Sequence, residues 1–315
     1  MVALEIIGGL LLLGLGGEGL VRGGIGIART FGLSRLFVGA VIVSIGTSAP
    51  ELVVAINAVL SGEPDIATGN VVGSNISNVF LVLALGALIY PIAIHRNTVF
   101  RDGAVLLGAS GLTVWIAQTQ SFSSTVGTVF LGLLALYIVV LLITERQSNS
   151  EPIVDNDMLT QNFFFNLVIA AVGAVALMFG AHYLVTGATA LAIAWDVPPS
   201  VIGLSLVAVG TSLPELAATS VAAWRRNPEI AAGNIIGSGI FNLFGILGVT
   251  ALISANPVTL PNNMIQFDVW WMLAASVVII PFLASNWRLS RLEGVFLLTL
   301  YVGYLTILFG YVTLQ

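Results

Sequence analysis

Apolar runs follow one another along the whole chain, separated by short polar stretches. Ten are predicted as helices, at 4–28, 37–60, 66–89, 103–119, 124–144, 163–193, 201–224, 230–253, 266–286 and 290–313. Crossing a bilayer takes about 17 to 25 such residues, so each run can span a membrane. Connections are short except 145–162 (ERQSNSEPIVDNDMLTQN), which is polar and acidic.

Composition excludes a soluble protein. The chain is 57% hydrophobic and 8% charged, with mean hydropathy +1.04, where soluble domains carry about 25% charged residues. Cysteine is absent, which removes disulfides, thiolate metal sites and cysteine nucleophiles. The first twenty residues lack a basic n-region and carry Glu5 instead. They read as a mature helix rather than a signal peptide.

All ten basic residues are arginines, and they decide orientation. Arg29 and Arg35 lie in the first connection, Arg96 and Arg101 in the third, Arg146 in the fifth, Arg225 and Arg226 in the seventh, Arg288 and Arg291 in the ninth. Even-numbered connections carry none. The positive-inside rule makes the odd side cytoplasmic. The expectation is a multi-pass cell-membrane protein with both termini extracellular and the 145–162 linker cytoplasmic.

A shift of 164 residues aligns the chain with itself: 38–89 meets 202–253 with 23 identities in 52 positions and no gap. The expected domains are a first repeat at 1–144 (helices 1–5), a linker at 145–162 and a second repeat at 163–315 (helices 6–10). Five spans per half, an odd number, turn the second half over. The predicted fold class is an all-α integral membrane protein of ten transmembrane helices in two inverted-topology repeats, an architecture of secondary transporters whose sites lie near the midplane. A duplication serving only folding is the plainer alternative. Against it, the identities concentrate in polar residues inside spans, where packing alone favours apolar ones.

Helix 2 carries Gly46-Thr47-Ser48-Ala49-Pro50-Glu51 and helix 7 carries Gly210-Thr211-Ser212-Leu213-Pro214-Glu215. A carboxylate at that depth costs at least a few kcal/mol and is a functional hypothesis by default. Thr47 and Glu51, like Thr211 and Glu215, are spaced i,i+4 and share a helix face. Pro50 and Pro214 remove the hydrogen bonds that would occupy the carbonyls of Gly46 and Gly210. The structural alternative is a capping box, Ser48-x-x-Glu51 and Ser212-x-x-Glu215, restarting a broken helix. Broken helices at membrane depth are tolerated only inside protein or along a cavity, so both readings can hold.

Helices 3 and 8 carry GNVVGSNISN (69–78) and GNIIGSGIFN (233–242). Gly69/Gly73 and Gly233/Gly237 are small-xxx-small patterns, read as packing. Ser74 and Asn78, and Ser238 and Asn242, add two oxygen-bearing faces by the same i,i+4 spacing. Together the four faces make an all-oxygen cage with two carboxylates. Calcium takes 6–8 oxygen ligands in flexible geometry; no thiolate or motif histidine points to zinc or copper. The residues themselves say a calcium-like cation.

Elsewhere, Glu18 and Arg22 are i,i+4 in helix 1 and are expected to neutralise each other. His182 reads as a core histidine with a satisfied ring. Asp102, Asp268 and Glu293, near span ends, are expected to be solvated.

The doubled GTS-x-PE and GN-x-x-GS-x-x-x-N motifs resemble the alpha repeats of the calcium/cation antiporter superfamily, most closely prokaryotic sodium/calcium exchangers, over essentially the whole chain. The resemblance implies exchange of Ca2+ for Na+ by alternating access, helices 1 and 6 sliding across a core of helices 2, 3, 7 and 8. It implies ligands at Thr47, Ser48, Glu51, Ser74 and Asn78, and at Thr211, Ser212, Glu215, Ser238 and Asn242, with carbonyls of Ser44 and Ala208 at the sodium sites. It implies no cofactor beyond the transported ions, no nucleic acid, no obligatory protein partner and no enzymatic activity. Some family members carry aspartate where this chain has Asn242, so the fixed site charge here is −2, which leaves Ca2+/H+ exchange as the alternative. A calcium-permeable channel could use the same ligands. An intramembrane hydrolase would need a base beside its serines, and His95 and His182 lie outside the motifs.

Overall fold

The computed structural model describes residues 2–119, 121–147, 162–195, 208–285 and 287–313, and these are almost wholly helical. The helices are α1 (Val2–Phe31), α2 (Arg35–Thr47), α3 (Ala49–Leu60), α4 (Pro64–Ile89), α5 (Arg96–Thr119), α6 (Ser124–Gln147), α7 (Phe163–Ala194), α8 (Leu213–Trp224), α9 (Pro228–Ile253), α10 (Met264–Phe282) and α11 (Arg291–Thr313). Eight are long and apolar enough to cross a bilayer, or nine spans if α2 and α3, bent by 41°, count as one. Of the expected span 201–224, residues 201–207 lie outside the described residues, as does most of the 145–162 linker.

Both halves break their helices at the same point. A proline in the first turn of α3 and of α8 has no N–H to continue the preceding helix. The break residue Ser48 sits at φ −85°, ψ 4°, and Ser212 at φ −85°, ψ 3°. The expected capping boxes do not form there, because neither serine side chain bonds to its helix terminus. A capping box does form at α11, where Glu293 accepts from the Ser290 N–H at 2.7 Å and the Glu293 N–H donates to Ser290 Oγ at 3.4 Å. Helices α4 and α9 each contain a π-helical stretch, Asn78–Leu83 and Phe241–Ile246, a local widening common at functional sites.

Helices α9 and α4 form the centre: 83% and 72% of their apolar stretches are buried, against 22–33% for α1, α6, α7, α10 and α11. The outer helices present large apolar side chains outward, Leu11, Val172 and Val302 among them, as lipid contact requires.

Helices α1 and α7 lie antiparallel along their length on a glycine seam. Gly9, Gly16 and Gly23 recur every seven residues, and adding 164 gives Gly173, Gly180 and Gly187. A Cβ on Gly16 would fall 2.8 Å from the Gly173 carbonyl oxygen, and one on Gly173 would fall 2.4 Å from the Leu20 nitrogen. Only glycine permits backbones this close. Gly233 and Gly237 likewise meet the backbone of α2 at Leu36–Ala40. The surface that Gly69 and Gly73 would meet by the same correspondence, residues 200–204, lies outside the described residues.

Odd connections meet one another. Strand β1 (Ile92–Ala93) pairs antiparallel with β2 (Arg288–Leu289), His95 pairs with Glu229 at 3.0 Å, and Arg101 with Glu145 at 3.0 Å. Even connections meet too, through the bridge between Phe122 and Val258.

Two expectations are overturned. Asp102 is 1% exposed, not solvated: α5 begins at Arg96 rather than 103, and Arg101 donates to both Asp102 oxygens at 2.7 and 3.0 Å. His182 is exposed rather than in the core, because α7 gives its glycine face to α1 and turns the imidazole outward. Asp268 is half-buried and accepts from the Tyr304 hydroxyl at 2.9 Å.

Candidate cation site

The breaks before α3 and α8 bring both glutamates to the inner face of the bundle beside α4 and α9. Glu51 and Glu215 are each 0% exposed. Ser44, Thr47, Ser48, Ser74, Asn78, Ser212, Ser238 and Asn242 are all buried with them, at 0–2% exposure. Thr211 is half-buried. Ala208 opens the short turn Ala208–Gly210, and nothing is described of its side chain.

Three of the hydrogen bonds cross between the halves, Ser48–Glu215, Thr47–Asn234 and Ser212–Ser77. Ser48 Oγ donates to Glu215 Oε1 at 2.8 Å. Thr47 Oγ1 is 3.2 Å from both Asn234 Oδ1 and the Ser44 carbonyl, the acceptors for its proton. Ser212 and Ser77 hydroxyls pair at 2.6 Å. Asn70 Nδ2 donates to the Glu51 carbonyl at 3.3 Å, and Asn234 Nδ2 to the Glu215 carbonyl at 3.4 Å and to Thr219 Oγ1 at 2.9 Å. The Ser44 carbonyl also accepts the Ser48 N–H at 2.9 Å.

A second group of buried atoms makes no hydrogen bond: both oxygens of Glu51, Oε2 of Glu215, the hydroxyls of Ser74 and Ser238, and the amide atoms of Asn78 and Asn242. A buried polar group without a partner costs about 1–3 kcal/mol, more if charged. Their concentration on one set of motif residues is therefore a chemical statement. Seven of these atoms are oxygens, two of the side chains are carboxylates, and no sulfur is present. Such a set matches hard cations. Among the described residues no cluster of three or more histidine, cysteine, aspartate or glutamate side chains occurs, so the donors are mostly neutral oxygens around two acids.

The sequence reading did not foresee Ser77, Thr219, or a role for Asn70 and Asn234. The two asparagines stand in the doubled motif, which was the available signal; Ser77 and Thr219 replace phenylalanine or alanine at the matching positions of the other half and carried none. Glu18 is held by Arg22, as expected, and also by Arg225 from the end of α8, whose Nε donates at 2.6 Å.

The family profile described as sodium/calcium exchanger protein matches residues 1–144 and 165–310. The chain belongs to the sodium/calcium exchanger family. It is 32% identical to the sodium/calcium exchanger MaX1 of Methanosarcina acetivorans over 341 residues, 96% of each chain. It is 32% identical to the inner membrane protein YrbG of Escherichia coli over 300 residues, 92% of this chain and 90% of that one. Among solved structures, the sodium-calcium exchanger NCX_Mj soaked with 10 mM Na+ and zero Ca2+ superposes with a TM-score of 0.81 at 33% identity, covering 96% of this chain and 98% of that one. As a member of this family the protein is a multi-pass membrane antiporter and not an enzyme.

Proposed function

We propose that this antiporter exchanges Ca2+ for Na+ at one midplane site centred on Glu51 and Glu215, between two inverted five-helix repeats. The observation that carries the reading is the set of buried, unpartnered oxygens on Glu51, Glu215, Ser74, Ser238, Asn78 and Asn242. These are the residues that the doubled motif repeats.

Ten crossings account for the connections better than nine: odd ones join odd through β1–β2 and His95–Glu229, and even ones join even through Phe122 and Val258. The antiparallel seam between α1 and α7 sets Gly9 against Gly180 and Gly16 against Gly173, each meeting the other's counterpart, which is what inversion of one half produces. The arginines put the odd side in the cytoplasm and the termini outside. The 145–162 stretch then links the repeats on the cytoplasmic side.

Exchange is competitive. Ca2+ or Na+ neutralises the two carboxylates, and only a neutralised core lets α1 and α7 slide across it. A bare −2 core would carry unpaired charges past apolar surface, at a prohibitive desolvation cost. Thr47, Ser48, Thr211, Ser212 and the carbonyls of Ser44 and Ala208 complete the ion shells as the helices shift.

Calcium-45 uptake into proteoliposomes tests the coupling. Uptake driven by an outward Na+ gradient and not by a proton gradient is expected. Uptake driven by protons alone would make the protein a Ca2+/H+ antiporter. Uptake needing neither, and following membrane potential, would make it a channel.

A further inference from the structure

Asn234 reaches across the site in a way that its counterpart Asn70 does not. It is 0% exposed on α9 and contacts three groups from both halves: Thr47 Oγ1, Thr219 Oγ1 and the Glu215 carbonyl. The Glu215 carbonyl can only accept, so the amide must turn its NH2 toward it. That orientation leaves Oδ1 facing Thr47, where it can only accept. Thr47 must therefore be the donor. A proton given to Asn234 Oδ1 leaves the Thr47 lone pairs free for a cation.

The Ser44 carbonyl is the other acceptor for that proton, but it already receives the Ser48 N–H. When that carbonyl turns to an ion, Asn234 is the acceptor that remains for Thr47. We propose that Asn234 is a positioning residue: it fixes the Thr47 hydroxyl as a cation ligand and ties α2 to the α8 segment bearing Glu215. This rests on the reading of Thr47 as a ligand in the proposed Ca2+/Na+ site.

Asn70 provides the internal control. It donates to the Glu51 carbonyl, yet among the described residues no hydrogen bond joins it to Thr211, and alanine stands at 55 where Thr219 stands in the other half. Asn70 holds a backbone; Asn234 holds a backbone and a ligand.

The test is a double-mutant cycle read by equilibrium binding of calcium-45 to purified full-length protein in detergent, a measurement that needs no transport. Groups that orient metal ligands are worth about 10- to 100-fold in affinity. Asn234→Ala is expected to weaken Ca2+ binding by at least about tenfold in the wild-type background and by less than about threefold once Thr47→Val has removed the hydroxyl. Asn70→Ala is expected to cost less than Asn234→Ala. Thr219→Val, which keeps the Glu215 carbonyl as the orienting acceptor, gives a folded variant if Asn234→Ala misfolds, and it should retain binding within about threefold. Equal losses from Asn234→Ala in both backgrounds would show a purely structural role and overturn the proposal. So would a loss from Thr219→Val as large as that from Thr47→Val. Wild-type protein that binds neither Ca2+ nor Na+ would overturn the site reading itself, and this proposal with it.

Discussion

Glu51 and Glu215 stand in the same motif, equally buried, on helices broken at the same backbone angles, yet their surroundings differ. Glu215 accepts from Ser48 of the other half, while both Glu51 oxygens lack a hydrogen bond. Thr47 is clasped by Asn234, while Thr211 is half-exposed; Ser212 turns to Ser77 rather than to Glu51. Two copies of one motif thus hold two arrangements of hydrogen bonds, partly because Ser77 and Thr219 have no counterpart in the other half. Inverted repeats work by such inequality, since identical arrangements would open equally to both sides of the membrane.

That contrast can be broken at several points, with effects falling in a definite order. Glu51→Gln should do the most harm, lowering Ca2+ affinity by about 100-fold (~2.7 kcal/mol) in calcium-45 binding, because no hydrogen bond would replace the lost charge. Lengthening the α1–α7 seam side chains comes next. Gly173→Leu should abolish exchange, and its overpacking should cost about 1–3 kcal/mol in a thermal unfolding assay. Ser48→Ala leaves Glu215 Oε1 without its donor and should cost about 1–3 kcal/mol of stability, whereas Ser212→Ala breaks only a neutral hydroxyl pair and should cost about 1 kcal/mol. Equal costs for the two serines would erase the proposed inequality. Arg225→Gln should matter least, about 1 kcal/mol or less, because the Glu18–Arg225 pair is partly exposed.

Much of this was legible beforehand, and the limits have a physical origin. Hydrophobic periodicity is a property of the chain itself, so its membrane-spanning, all-helical character and the doubled glutamate motif could be read directly. The i,i+4 rule gave oxygen-bearing faces on single helices and said nothing of partners on other helices. The structure instead sends Thr47 and Ser48 across to Asn234 and Glu215, contacts separated by 187 and 167 residues. Ser48-x-x-Glu51 has the letters of a capping box and does not cap, while Ser290-x-x-Glu293 does. Asp102 looked like a solvated end because its burial, and the Glu145 that shares its Arg101 partner, come only from folding. The partner of the α1 glycines, the matching glycine face of α7, became plain only in the folded chain.

The central claim is that the two carboxylates form one cation site, and the most direct measurement is sodium-dependent calcium-45 exchange by the Glu51→Gln, Glu215→Gln double variant in proteoliposomes. The account predicts that exchange falls to the level of protein-free vesicles while the variant remains folded and monodisperse. Exchange that persists at the wild-type rate would contradict it.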